Sequence, residues 1–380
     1  MNAHNRDVLR VTHVVFDLNQ GGLERFVMEM GKRLAGTAVR MSVLTLSGRE
    51  GHFGAQLRPY LEQYHVLRPI PSLSMIVPLG LAWRIRRTRP DVVHLHSGAW
   101  YKGAVAARLA RADRVIYTEH GVIPGDHRWG GRLRRLASRL TDTVVTVSGR
   151  LQRQLADELE LDDSRFHTID NGVDTTVFSG GPRDARLLES LGLAPDTVVI
   201  GSVGRLEVIK AQDVLIRAFA RMRERLAGAP DACLVLCGQG SRREALETLA
   251  AELGVGERVR FPGWVDNTVQ YYRLFDVFAL PSITEGAPLS LLEAMACEAV
   301  PVVTPVGANA EILGPKLAGQ IVPHGDVDAL TDMLVRLVES AERRRQLGVA
   351  ARQRIEERYD LDETIDRYRQ LYERLAGGRS

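Results

Sequence analysis

Short apolar runs alternate with amphipathic helical stretches along almost the whole chain, and the series starts twice. Residues 11–16, 41–46, 92–96, 115–118 and 144–147 are each short, apolar and closed by polar or glycine-containing segments. Strands buried on both faces have this pattern. Helical stretches lie between them. In the first, Leu23, Phe26, Val27, Met30 and Leu34 fall at i, i+3, i+4, i+7 and i+11, one face of a helix. Strand and helix in strict alternation predict a parallel sheet covered by helices on both sides.

Residues 171–196 interrupt the pattern with turn formers, among them Asn171-Gly172-Val173-Asp174 and Ser179-Gly180-Gly181-Pro182. A second series follows at 198–203, 232–236, 259–261, 277–280 and 300–304. An amphipathic helix over about 362–375 closes the chain. The expectation is an α/β protein of two Rossmann-like domains, with parallel sheets facing across a cleft. The expected bounds are 1–175 for the first domain, 176–196 for a linker and 197–358 for the second domain. The last helix, 359–380, is expected to pack back toward the first domain. Ligands of such sheets sit at the carboxyl ends of the strands.

Composition removes other classes. With 45% apolar and 26% charged residues, the chain is that of an ordinary globular protein. The opening ten residues are polar, and the most apolar early stretch, 70–83, holds two prolines and two serines. A cytoplasmic location is therefore expected, without a signal peptide or membrane span. Three cysteines in no metal-ligand spacing read as core residues, and no metal or other cofactor is expected. Residues 1–180 carry 25 basic against 18 acidic side chains, too mild an excess to point to nucleic acid. Nearly every basic residue is Arg; only four are Lys.

Several sites have a chemical reading of their own. Glu285 and Glu293 are separated by seven residues, the first in a loop after a strand-like run and the second on an apolar helix. Between them Gly286-Ala287-Pro288-Leu289 opens the helix, whose free N–H groups and positive dipole end suit a phosphate. Two carboxylates nearby suit sugar hydroxyls. Gly204-Arg205-Leu206 follows the strand 198–203, and Lys210 lies five residues beyond Arg205. Two cations at a strand's carboxyl end can neutralise a diphosphate. Gly21-Gly22 sits between the first strand and first helix, where a backbone could approach a ligand closely. Cys237-Gly238-Gln239-Gly240 has G-x-G but not the third glycine of a dinucleotide fingerprint. His120 follows the strand 115–118; His94 and His96 share another strand and either face the cleft or pack. No Ser-centred triad or metal-binding Asp-x-Asp is present in the motifs of the sequence.

The Glu285-to-Glu293 segment with Glu285-Gly286-Ala287-Pro288 resembles the E-x7-E signature of retaining glycosyltransferases of family four, which have the GT-B fold. Further segments resemble the same family in order. These are Gly21-Gly22-Leu23-Glu24-Arg25, Asp91-Val92-Val93-His94-Leu95-His96, Thr118-Glu119-His120-Gly121, Asn171-Gly172-Val173-Asp174, Gly204-Arg205-Leu206 to Lys210, Gly307-Ala308-Asn309-Ala310-Glu311, and Val322 to Asp326. Ala308 departs from the family, where a second glycine is usual.

The resemblance implies a retaining transferase that moves a sugar from a nucleoside diphosphate donor to a glycan, lipid-linked or small-molecule acceptor. It implies catalytic roles for His120, Glu285, Arg205 and Lys210. Donor contacts are implied for Gly21, Gly22, Arg205, Lys210, Glu285, Gly286, Ala287, Pro288, Leu289 and Glu293. A nucleotide-sugar epimerase of the same fold and a non-catalytic nucleotide-sugar binder are the alternatives. Finally, Arg128, Arg132, Arg135 and Arg139 line one face of a helix over 128–140, beside Trp129, Leu133, Leu136 and Leu140. That stripe predicts peripheral contact with the inner face of a membrane, or packing on the first sheet.

Overall fold

The computed structural model describes residues 8–19, 21–68, 78–121, 128–227 and 230–377, without the side chains of 128–130. Most of the apolar stretch 70–83 lies outside them. The chain forms two compact units, Met1–Asp170 with Asp362–Ser380, and Asn171–Leu361.

The first unit is built on seven parallel strands in the order β3-β2-β1-β4-β5-β6-β7. They are β1 (Leu9–Val15), β2 (Val39–Thr45), β3 (Gln63–Val66), β4 (Val92–His96), β5 (Arg114–Glu119), β6 (Thr143–Thr146) and β7 (Phe166–Thr168). The central strands are buried almost end to end. β3 and β7 were not expected. They are the two edge strands, one half-buried and polar, the other three residues long, so neither carries an apolar run. The helix Gly22–Leu34 buries Phe26, Val27, Met30 and Leu34, the face anticipated from spacing. The helix Leu361–Gly377 contributes Tyr368 and Tyr372, both fully buried, to this unit.

The second unit has five parallel strands ordered β10-β9-β8-β11-β12. They are β8 (Val198–Val203), β9 (Ala232–Cys237), β10 (Val259–Gly263), β11 (Val277–Leu280) and β12 (Val300–Val303). Its core joins Ile200, Phe219, Leu234, Val277 and Leu334 in one buried cluster. The stretch 176–196 carries the helix Ala185–Leu191, whose N-cap Asp184 accepts from the N–H groups of Arg186 and Leu187. Leu188 and Leu191 anchor it by burial.

One polar device recurs at the amino ends of both sheets. Asp91, Asp142 and Asp276 each stand just before a strand and accept the N–H of Arg10, Val115 and Val199, at 2.9, 2.7 and 2.8 Å. Each closes a backbone donor that the ladder would leave open.

Candidate active site

In each sheet, strand order reverses once: between β1 and β4 in the first unit and between β8 and β11 in the second. The loops leaving the carboxyl ends of such a pair diverge, so the side chains they carry surround an opening.

In the second unit the reversal brings together the loops after β8 and β11. Lys210 Nζ donates to Glu285 Oε1 at 2.6 Å, with side-chain exposures of 15% and 7%. Ser282 Oγ donates to the same oxygen at 2.5 Å. A pair so buried needs such support, because both ions lose water. Glu285 Oε2 takes no hydrogen bond among the described residues. Arg205 is exposed, and its carbonyl accepts from Gln212 Nε2 at 2.9 Å.

The loop after β9 fixes this geometry from beneath. A Cβ on Gly238, at φ +141°, would stand 1.9 Å from the carbonyl oxygen of Gly204. One on Gly240 would stand 2.2 Å from that of Leu206. The G-x-G here serves backbone approach between loops. Gly307, at φ +53°, plays the same part after β12, against the carbonyls of Glu285 and Gly286. Ala308 N–H donates to Gly286 O at 2.7 Å, so the departure at 308 leaves this contact standing.

The helix Leu289–Ala296 begins beside Glu285, with Pro288 as its N-cap rather than in its first turn. Gly286 and Leu289 are half-buried; Ala287 and Pro288 are buried. Asn171 Nδ2 donates to Ala287 O at 2.9 Å and holds the turn. Glu293 lies on the buried face of this helix at 6% exposure, and Tyr272 Oη donates to its Oε2 at 2.8 Å.

In the first unit, Gly21 caps the helix Gly22–Leu34 and Gly22 begins it. Neither lies in the left-handed region; Gly21 is extended, with φ 172°. His120 follows β5 and its N–H donates to Ser97 Oγ at 3.0 Å. Ser97 donates to Glu119 Oε1 at 2.8 Å, and Tyr117 Oη donates to Glu119 Oε2 at 2.7 Å. Behind His120 lie His96, His13 and His94, all fully buried. His96 Nδ1 is 3.1 Å from His120 Nε2, and His13 Nδ1 is 3.0 Å from His96 Nε2. Burial holds His94 and His96 well below the usual imidazole range and brings His13 and His120 down to about 3, so all four are neutral at neutral pH.

A family model described as glycosyl transferases group 1 matches residues 185–354, and one described as Glycosyltransferase Family 4 matches residues 20–177. A GDP-mannose-dependent alpha-(1-6)-phosphatidylinositol monomannoside mannosyltransferase of Mycolicibacterium smegmatis is 32% identical over 76% of this chain and 78% of its own. The chain belongs to the family 4 glycosyltransferases.

Other relatives of this glycosyltransferase span it almost completely. A 2-deoxystreptamine N-acetyl-D-glucosaminyltransferase of Streptomyces fradiae is 29% identical over 95% of this chain and 92% of its own. Solved structures share the GT-B fold. A glycosyltransferase from Rickettsia africae has TM-score 0.83 at 19% identity, covering 98% of this chain and all of its own. Anabaena HepE, solved in complex with UDP, has TM-score 0.81 at 21% identity, covering 96% and 99%.

Of the residues the sequence singles out, Glu285, Gly286, Ala287, Pro288, Leu289 and Glu293 share one loop-and-helix region of the second unit, with Arg205 and Lys210 together on the adjoining loop after β8. Gly21, Gly22 and His120 belong to the first unit. Sequence reasoning missed Ser282, Tyr272 and His13. Ser282 stands three residues before Glu285 and was open to notice; Tyr272 and His13 had no local signal, since each meets its partner only through the fold.

Proposed function

We propose that this glycosyltransferase moves a hexosyl group from a nucleoside diphosphate sugar to an acceptor hydroxyl, with retention and without a metal. The Lys210–Glu285 pair at the β8/β11 reversal carries this reading. Lys210 has three donors and gives one to Glu285, leaving others for a diphosphate. Arg205, exposed on the same loop, adds a guanidinium fork. The amino end of the helix Leu289–Ala296 adds backbone N–H groups. Together they stabilise negative charge on the departing diphosphate, the task a metal performs elsewhere. Glu285 Oε2 accepts from a sugar hydroxyl, and Glu293, held by Tyr272, accepts from the ribose. Gly22 and His120 belong to the acceptor-bearing domain, taken as 1–175, and His120 meets the sugar. The nucleotide-sugar domain is 197–358. HepE, of the same fold, is recorded with UDP, the ligand chemistry this reading requires.

The acceptor is carried on an anionic surface, which the helix Arg128–Arg139 contacts from the cytoplasmic side. Leu133 and Leu136 are exposed at 37% and 43%, beside exposed Arg132, Arg135 and Arg139. The buried face is Ala137 and Ser138. The outward placing of Leu133 and Leu136 supports this reading over packing on the sheet; Leu140 is half-buried. Among the described residues no helix is long and apolar enough to cross a membrane.

A thermal-shift screen of UDP-, GDP- and ADP-sugars in EDTA tests the donor. A donor at ~100 times its Kd should raise stability by about 2.7 kcal/mol. Transfer to an added acceptor should then proceed in EDTA. If no nucleotide sugar stabilises the protein, the reading falls; activity lost on chelation and restored by a divalent cation would remove its metal-free part.

A further inference from the structure

We infer that the buried chain His13–His96–His120 fixes the tautomer of His120, so that its ring presents an Nδ1–H to the sugar donor and offers no basic nitrogen. The ligand in that statement rests on the proposed function; the tautomer does not.

A neutral imidazole has one N–H and one lone pair. Three of them joined nitrogen to nitrogen must therefore all point the same way. His13 Nδ1 to His96 Nε2 is 3.0 Å and His96 Nδ1 to His120 Nε2 is 3.1 Å, so the chain is continuous. Its direction is set at the far end. His13 Nε2 is buried and has no hydrogen-bond partner. If the bonds ran inward from His120, His13 would carry its proton there and bury an unpaired donor. Running outward, the same atom is a bare lone pair. Orphaned buried N–H groups are the rarer failure, and the outward direction avoids one. His13 then donates from Nδ1 to His96 Nε2, and His96 donates from Nδ1 to His120 Nε2. His120 is left with its proton on Nδ1, which has no partner among the described residues.

One extra proton, on His96, would supply donors at both ends. Burial opposes it, holding His96 well below the usual imidazole range and His13 and His120 at about 3. His94 does not break the chain. Tyr372 Oη donates to Met30 Sδ at 3.6 Å and so accepts from His94 Nδ1 at 2.7 Å. His94 Nε2 then accepts from Thr118 Oγ1 at 2.7 Å. His13, His94 and His96 could also be read as a cation site, their nitrogens lying within 4.8 Å of one another. Against that, both nitrogens of His94 are engaged, and its ring stacks on His96 at 4.2 Å and 29° instead of converging with it. His13 and His96 are thus positioning residues, and His120 acts as a neutral donor, not as a general base.

Two-bond proton–nitrogen-15 correlation spectra of the full chain at neutral pH test the tautomer directly. Peaks are assigned with His13→Asn and His120→Asn. The expected result is Nδ1–H with bare Nε2 on His13, His96 and His120. Nε2–H on His120, or stoichiometric zinc binding to wild type that His13→Leu abolishes, would overturn it. The ligand is tested by kinetics. Asn places an amide near Nδ1 and Gln places one near Nε2, so His120→Asn should keep kcat/KM within about tenfold while His120→Gln loses about a hundredfold. Equal losses would overturn the donor role, as would a wild-type kcat/KM limb near the ordinary histidine range that disappears in His120→Asn. Should glycosyl transfer prove the wrong activity, the kinetic arm has no signal while the spectra still decide the tautomer, so the two failures are distinguishable.

Discussion

At the scale of single residues, Arg205 and Lys210 carry the same charge on one loop but stand in different surroundings. Arg205 is exposed, while Lys210 is the buried partner of Glu285. Their alanine variants should therefore separate. Arg205→Ala should lower kcat by about a hundredfold, the usual cost of one group that stabilises transition-state charge, and leave stability unchanged. Lys210→Ala should lower kcat at least as much and also destabilise the fold. It leaves a carboxylate at 7% exposure with Ser282 as its remaining bonded neighbour, a defect costing about 3–5 kcal/mol. Urea unfolding beside steady-state kinetics checks both; equal stability of the two variants would contradict the buried pair. The sequence offered both cations as candidates. It could not distinguish them, because burial depends on what β11 brings alongside.

At the scale of elements, the internal strands were legible and the edges were not, for one reason. A strand buried on both faces needs a continuous apolar run; β3 and β7 are covered on one side and do not. The helix Arg128–Arg139 shows the opposite limit. Its alternating Arg and Leu stripes were evident, but which stripe faces the sheet was not. The fold buries small Ala137 and Ser138 and leaves Leu133 and Leu136 outside. Wild type should therefore sediment with anionic vesicles at low salt and release at high salt. Changing Arg132, Arg135 and Arg139 together to Gln should abolish sedimentation, each Arg being worth about 1 kcal/mol at such a surface. Arg135 also pairs with Glu160 at 2.9 Å, an exposed contact that a membrane can replace at little cost. Wild type that ignores anionic vesicles at low salt would end the docking idea and leave the active-site reading intact.

At the scale of the whole molecule, the two sheets differ in their buried histidines. His13, His94, His96 and His120 all belong to the first unit, and the one histidine of the second, His324, is exposed. Burial lowers all four in the first unit, two of them to about 3. Between that value and the ordinary 6.5, the unfolded chain binds protons the folded unit does not. Stability therefore rises with pH across the window and is lost as pH falls below about 6.5, by up to roughly 1.4 kcal/mol per pH unit for each such histidine. His65 and His167, also lowered by burial, add smaller shares in the same direction. Hydrogen exchange at pH 7 and pH 5, corrected for intrinsic rates, should show protection falling in β1, β4 and β5 and holding in β8, β9 and β11. Uniform loss across both units would refute this.

The sequence by itself determined the α/β class, the two series of parallel strands, the family, and the loops that bear Arg205, Lys210, Glu285 and His120. Periodicity and turn chemistry are local properties, and each of these loops directly follows a strand. Only the tertiary structure decided what those residues meet. Strand order, which is not local, places β8 beside β11 and so Lys210 against Glu285, and places β1 beside β4 so that His13 reaches His96. Tyr372 reaches His94 from 278 residues away, because burying the apolar face of the last helix satisfies a requirement of the first sheet that no short segment reveals.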